Sequence, residues 1–252
     1  MNDFFKGFGG ALSGFTWILR PKIRRFVYIP LAINALLFIS AFVLLRQYAG
    51  HWVASWIGEK NDWIGMLQWS YDLIVPVLTF VLYAAFVLIA YFLFSSVANL
   101  IAAPFNALLS KAVEKRLTSE SVQYLEQPLL KEIVIMVKTE IVKLVRFVGL
   151  SVLILLLLLI PGLNMLFPIV WFIFMAYVLS LQYVDYPMAN HGYYYKEQRQ
   201  LLRCNRMQRL GFGTAANLML LVPVVNFIAM PVCVCGATVW WRQHLYHQVE
   251  KD

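Results

Sequence analysis

Four long blocks of this 252-residue chain contain no Asp, Glu, Lys, Arg or His: residues 26–45, 73–110, 147–184 and 210–241. About 20 apolar residues cross the roughly 30 Å hydrocarbon layer of a bilayer as a helix, and each block reaches or passes that length. Only 13% of the residues are charged, against about 25% in soluble proteins, and 61% are hydrophobic. The chain reads as an integral membrane protein. The first block is not a removed signal peptide. Its 20 uncharged residues from Phe26 to Leu45 outrun an h-region of about 7–15, and Arg46 follows rather than a small-residue cleavage site.

The charges between the blocks orient them. Residues 1–25 carry Lys6, Arg20, Lys22, Arg24 and Arg25 against Asp3, residues 111–146 carry seven basic residues, and residues 185–209 carry Lys196, Arg199, Arg203, Arg206 and Arg209. The stretch 46–72 holds only Arg46 and Lys60 against Glu59, Asp62 and Asp72, with Trp52, Trp56, Trp63 and Trp69 suited to the interface. By the positive-inside rule the basic stretches are cytoplasmic and 46–72 faces the other side. The net charge of +8 flanks membrane segments, which points to lipid phosphates or an anionic solute rather than nucleic acid.

Residues 26–45 and 73–100 are therefore predicted as two full crossings, the second helix kinking or restarting at Pro104. The last two blocks must each begin and end in the cytoplasm. They are broken by "IPGLNMLFP" and "VPVVNFIAMP", a weak repeat of Pro161, Asn164 and Pro168 with Pro223, Asn226 and Pro231. Their first arms, Phe147–Ile160 and Leu210–Val222, have 14 and 13 residues, about 20 Å of helix each. That length favours re-entrant hairpins dipping partway into the membrane over four ordinary tilted helices. Lipid does not tolerate uncovered non-helical backbone, so such hairpins demand neighbours and predict a homo-oligomer. Between the blocks, 129–146 places Ile133, Val134, Val137, Ile141, Leu144 and Val145 on one helical face, as in an amphipathic helix at the cytoplasmic surface or capping the bundle. The whole reads as one membrane domain, 1–252.

No catalytic signature appears: no G-x-S-x-G, no H-E-x-x-H and no phosphate-binding G-x-x-x-x-G-K-[ST]. No enzyme activity, cofactor or metal is predicted. Cys233 and Cys235 read as small buried residues, Cys204 lies in a basic loop, and the three form no disulfide framework. His244 and His247 share a helix face but lack a third ligand, and the glycines of "GFGGALSG" read as sites of close helix packing. Arg24 and Arg25 are the best anion-site candidate. With Pro21 as the first helical residue, the amides of Ile23, Arg24 and Arg25 would lack partners and face an anion alongside the guanidinium forks. The alternative is a plain anchor to lipid headgroups. Lys196, Arg199, Arg203 and Arg206 are spaced for one helix face, either a solvated stripe or a vestibule that concentrates anions.

Four motifs, "IRRFVYIPLAIN", "ANLIAAPFNALLSKAVEKRL", "LQYVDYPMANHGYYYKEQRQLLR" and "MPVCVCGATVWW", resemble the bacterial CysZ sulfate permease family, which is related to the eukaryotic etoposide-induced membrane proteins. The likeness runs from about residue 5 to the end. It implies an all-α integral membrane protein with two long transmembrane helices, two partly penetrating hairpins and amphipathic cytoplasmic helices. It further implies high-affinity sulfate uptake across the inner membrane for cysteine biosynthesis, oligomerisation, and a sulfate site at Arg24 and Arg25 with the backbone around Lys22 and Ile23. The competing function is a scaffold whose arginines bind lipid phosphate. Drawing a dianion into a cell that is negative inside costs about 2.3 kcal/mol per charge per 100 mV. Ion coupling usually needs a buried ionisable residue in the membrane. The four blocks hold none, which predicts an uncoupled, channel-like path.

Overall fold

The structure, a computed structural model, describes residues 2–57, 68–118, 122, 124 and 128–249. Every regular element among them is helical. In chain order they are α1 (Asn2–Ile18), α2 (Arg25–Ile57), α3 (Gln68–Leu117), α4 (Leu129–Leu155), α5 (Phe167–Asn190), α6 (Tyr195–Cys204), α7 (Arg206–Leu221), α8 (Pro223–Trp240) and α9 (Tyr246–Val249). Four described stretches are long and apolar enough to cross a membrane: Arg25–Leu44, Val137–Leu159, Leu163–Asn190 and Pro223–Gln248. The all-α membrane fold is borne out. Residues 58–67 of the expected outer loop, with Glu59, Lys60, Asp62 and Trp63, lie outside the described residues, as do the side chains of Trp52, Trp69 and Ile133.

The chain groups into two compact units, residues 28–104 and residues 1–27 with 105–252. The first holds most of α2 and α3. Its large apolar side chains, among them Phe42, Phe80 and Phe92, are exposed, as side chains in contact with lipid must be. α3 runs unbroken through Pro76 and Pro104, so the expected restart at Pro104 does not occur, although one boundary of the unit falls there. Membrane helices tolerate interior proline, because the carbonyl it frees finds other donors.

In the second unit α1 lies against α7 and α8, and α5 lies beside α7. Glycine makes this possible. A Cβ on Gly7 would overlap the Gln208 carbonyl, one on Gly14 the Val232 carbonyl, and one on Gly213 the Ala176 carbonyl. Close packing at "GFGGALSG" is borne out. Trp240 stacks on Phe212 at 5.0 Å and donates from Nε1 to Gln208 Oε1 at 3.0 Å. Cys233 and Cys235 are fully buried as expected, and Cys204 is exposed.

The two proline breaks differ. In the first, 3₁₀ turns at Leu156–Leu159 and Leu163–Leu166 flank Pro161 and Gly162, and Gly162 adopts φ 87°, open to glycine without strain. The second is one extended residue, Val222, before Pro223 opens α8. Two expectations are corrected here. Residues 129–146 are no separate surface helix but the first part of α4, which continues to Leu155. The first arm therefore belongs to a 27-residue helix instead of a 14-residue one, while α7 has 16 residues, close to the 13 expected. On α4 the apolar stripe of Val134, Val137, Ile141, Leu144 and Val145 is exposed, and among the described side chains the buried one is Lys143. Its Nζ reaches Glu140 Oε2 at 2.7 Å and Asp185 Oδ2 at 3.0 Å. Lys143 turns inward because its carboxylate partners lie there, and a buried charge is tolerated only when paired.

Candidate anion-binding site

The turn between α1 and α2 carries Arg20, Lys22, Arg24 and Arg25. Lys22 has φ 69°, the left-handed region that a residue with a Cβ enters at a cost of order 1–3 kcal/mol. The flanks hold it there. Ile23 is fully buried, and Arg116 at the end of α3 donates from Nη1 to the Pro21 carbonyl at 2.7 Å. With Ile23 pinned inward, the side chains of Lys22, Arg24 and Arg25 are exposed. The Arg20 guanidinium lies over the Trp17 ring at 3.7 Å and Arg25 over Phe26 at 4.8 Å. Among the described residues, no carboxylate pairs with any of these four cations.

The helix start at Pro21 is corrected. α2 begins at Arg25, and residues 21–24 form turns. Ile23 and Arg24 donate their amides to the Arg20 carbonyl at 3.1 and 3.2 Å, so neither is free for an anion. Arg25 has no turn acceptor among the described residues. The turn thus offers side chains more than backbone: planar guanidinium forks that match the oxygens of a tetrahedral anion, in a region of uncompensated positive charge.

The expectation that Lys196, Arg199, Arg203 and Arg206 share one helix is also corrected. Lys196, Arg199 and Arg203 lie on α6, but Arg206 opens α7, because Asn205 ends the helix. The Asn205 amide donates to the Leu201 carbonyl at 3.1 Å and to Gln248 Oε1 at 2.8 Å, competing with helix continuation. Lys196, Arg203 and Arg206 are exposed, and Arg199 is half-buried.

Two buried ionic clusters escaped the sequence reading. One is the Lys143–Asp185 pair, extended by Gln198, which donates to Asp185 Oδ1 at 2.5 Å and to the Tyr193 carbonyl at 2.9 Å. The other centres on Glu114, which is fully buried. Its Oε1 lies 2.8 Å from His191 Nε2 and 3.4 Å from Arg242 Nε, while Oε2 has no partner among the described residues. Arg242 sits in a π-helical turn, Trp241–Leu245, a geometry common at functional sites. Tyr124 packs against His191 at 5.6 Å, and burial, then the Glu114 charge, raises its phenol pKa. A signal was present: Asn106, Leu109, Ser110, Val113 and Glu114 recur at 3.6-residue spacing and are all buried, so the end of α3 has an inward stripe that includes an acid.

A family model described as sulfate transporter CysZ/etoposide-induced protein 2.4 matches residues 11–231. The sulfate transporter CysZ of Vibrio parahaemolyticus is 37% identical over 244 residues, 96% of this chain and 96% of the relative. That of Pectobacterium atrosepticum is 36% identical over 233 residues, 91% of this chain and 82% of the relative. That of Vibrio cholerae is 37% identical over 237 residues, covering 93% and 92%.

Proposed function

Because this chain belongs to the sulfate transporter CysZ/etoposide-induced protein 2.4 family, we propose that it admits sulfate across the bacterial inner membrane, supplying sulfur assimilation and cysteine biosynthesis. Arg24 and Arg25 take the anion at high affinity, with Lys22 adding charge and the buried Ile23 holding the turn. The observation that carries this reading is the turn itself: four cations with no carboxylate partner among the described residues, raised on a strained but clamped backbone. Copies of the chain associate in the membrane to cover the exposed apolar helices. The path is channel-like. Each buried acid described above already has a cation at bonding distance, Asp185 with Lys143 and Glu114 with Arg242, so none stands alone to carry a coupling proton.

The test is sulfate influx into proteoliposomes. Arg24→Ala/Arg25→Ala loses charge-assisted bonds of roughly 1.5–3 kcal/mol each, so sulfate affinity falls at least about tenfold and influx with it. Undiminished binding and influx in the folded double variant would leave the arginines as headgroup anchors. In the same vesicles, clamped at zero voltage, an imposed pH or sodium gradient drives no concentrative uptake. Accumulation under either gradient would replace the channel with a coupled carrier.

A further inference from the structure

We propose that Arg116 is a positioning residue for the anion site: its bond to the Pro21 carbonyl fixes the Pro21–Lys22 peptide so that the Lys22 N–H, and not a carbonyl oxygen, is presented to the anion beside Arg24 and Arg25. The proposal rests on the reading of this turn as a sulfate site.

The backbone of residues 20–23 makes such a residue necessary. The Ile23 amide donates to the Arg20 carbonyl at 3.1 Å, Pro21 stands second in that four-residue turn, and Lys22, third, has φ 69°. These are the marks of a type II turn, whose third position ordinarily takes glycine or asparagine. A type I turn closes with the same bond, favours proline at the same place and gives its third residue an ordinary negative φ. The two differ by a rotation of the central peptide, which exchanges the directions of its C=O and N–H. A lysine left to itself favours the negative φ. A group outside the turn therefore selects the type II form.

Arg116 is in place to do so. Its Nη1 donates to the Pro21 carbonyl, the oxygen of that central peptide, at 2.7 Å. No backbone amide among the described residues shares this oxygen. Turning the peptide over breaks the bond, and a charged donor makes it one of the stronger kinds. The end of α3 that carries Arg116 is itself anchored. Leu109, Val113 and Glu114 are fully buried, Ser110 accepts from Thr238 Oγ1 at 2.9 Å, and Glu114 meets His191. Arg116 is exposed and has no carboxylate partner among the described residues. The peptide is trans, so the Lys22 N–H points opposite to the clamped carbonyl. That N–H has no acceptor among the described residues. Flipped, the peptide would set the negative end of a carbonyl dipole where the N–H now stands, and an anion there would be repelled.

The test is equilibrium dialysis of purified full-length protein against radiolabelled sulfate. Arg116 is exposed, so Arg116→Met keeps the fold, and it is expected to weaken sulfate about tenfold, the worth of one charge-assisted bond. Arg116→Lys keeps a charged donor and is expected to recover most of that loss. The decisive change is Lys22→Gly. Alone it removes a cation and weakens sulfate. In the Arg116→Met background glycine accepts the positive φ without a clamp, so the double variant is expected to bind more tightly than Arg116→Met. If Arg116 acted only through its charge, losing a second cation would weaken binding further. That result, or wild-type affinity in Arg116→Met, overturns the proposal. Hydrogen exchange at Ile23 and Arg24 without sulfate reads the clamp by itself: faster exchange is expected in Arg116→Met, and an unchanged rate overturns the clamp. The sulfate reading fails separately. Undiminished binding in Arg24→Ala/Arg25→Ala removes the anion site, whereas lost binding there beside full binding in Arg116→Met keeps the site and removes the positioning role.

Discussion

The α4–α5 and α7–α8 hairpins carry the same weak Pro/Asn signature, but α4 of the first and α8 of the second live in opposite surroundings. Of the most apolar windows, that in Val137–Leu159 is 6% buried within the chain, and that in Pro223–Gln248 is 61% buried. The α4 arm of the first hairpin has Leu, Ile and Val and shows them outward, whereas its α5 arm buries Leu179, Leu181 and Val184 and packs on α7 and α8. The second has glycine, alanine and cysteine, and α1 lies in the groove they leave. Lipid is as apolar as leucine, so hydrophobicity alone does not draw membrane helices together, and small residues that let backbones approach decide which ones associate. The signature marks where a hairpin breaks; the side-chain volumes on its arms decide whether it becomes core.

Paired glycine substitutions attack that claim most directly. Gly213 on α7 has no room for a Cβ, which would meet the Ala176 carbonyl, whereas a Cβ on Gly149 of α4 meets nothing within 4 Å. Gly213→Val is expected to abolish folded, monodisperse protein in detergent, because backbone on both sides blocks relaxation. Gly149→Ala is expected to leave the melting temperature unchanged or raise it, since alanine is favoured over glycine by about 1 kcal/mol within a helix. Equal effects at the two positions would remove the distinction between core helix and lipid-facing helix.

The same contrast explains what was legible in the chain. The blocks, their breaks, the glycine packing of α1 and the buried cysteines follow from local composition and spacing, which lipid enforces strongly. The continuity of α4 was not legible. An amphipathic stretch followed by an apolar one reads as two elements under rules learned from water, where polar residues face out, yet Lys143 faces in. The helix start at Pro21 failed for a tertiary reason: Ile23 must be buried and Arg116 holds the Pro21 carbonyl, so the turn tightens before α2 begins. The break at Asn205 was readable, because asparagine is a common stop signal. The meeting of Glu114 with His191 and Arg242 was not, since only the folded packing brings these distant positions together.

A smaller effect is expected at the seam that ties α4 to α5. Lys143 is 5% exposed at its side chain and Asp185 27%. Removing one partner of a buried pair costs roughly 3–5 kcal/mol, and the partial exposure of Asp185 places Lys143→Ala toward the lower end. Lys143→Met paired with Asp185→Asn, which removes both charges and keeps the volumes, should recover most of the loss. Thermal melts in one detergent check both. A double variant no better than Lys143→Ala would mean that α4 is held by something other than this pair.

The gentlest probe concerns how far the two hairpins reach. The two tips, at Asn164 and Asn226, are both exposed within the chain, so a cysteine at either is expected to leave the fold unchanged and to report only on its surroundings. α7 has 16 residues, about 24 Å of helix, short of a hydrocarbon layer of about 30 Å, and its hairpin is expected to end inside the membrane. α4 has 27 residues, about 40 Å, but it begins in the charged stretch holding Lys131, Lys138 and Lys143, which consumes its first turns outside the apolar layer. From Phe147 only nine residues of α4 remain before the 3₁₀ turn, so the first hairpin is also expected to stop short. Impermeant maleimide added from outside to right-side-out vesicles should therefore label neither Asn164→Cys nor Asn226→Cys, while both react after detergent is added. Ready labelling at Asn164→Cys alone would make the first hairpin a pair of crossing helices and widen the difference between the two. Labelling at both would give the chain six crossings and erase it.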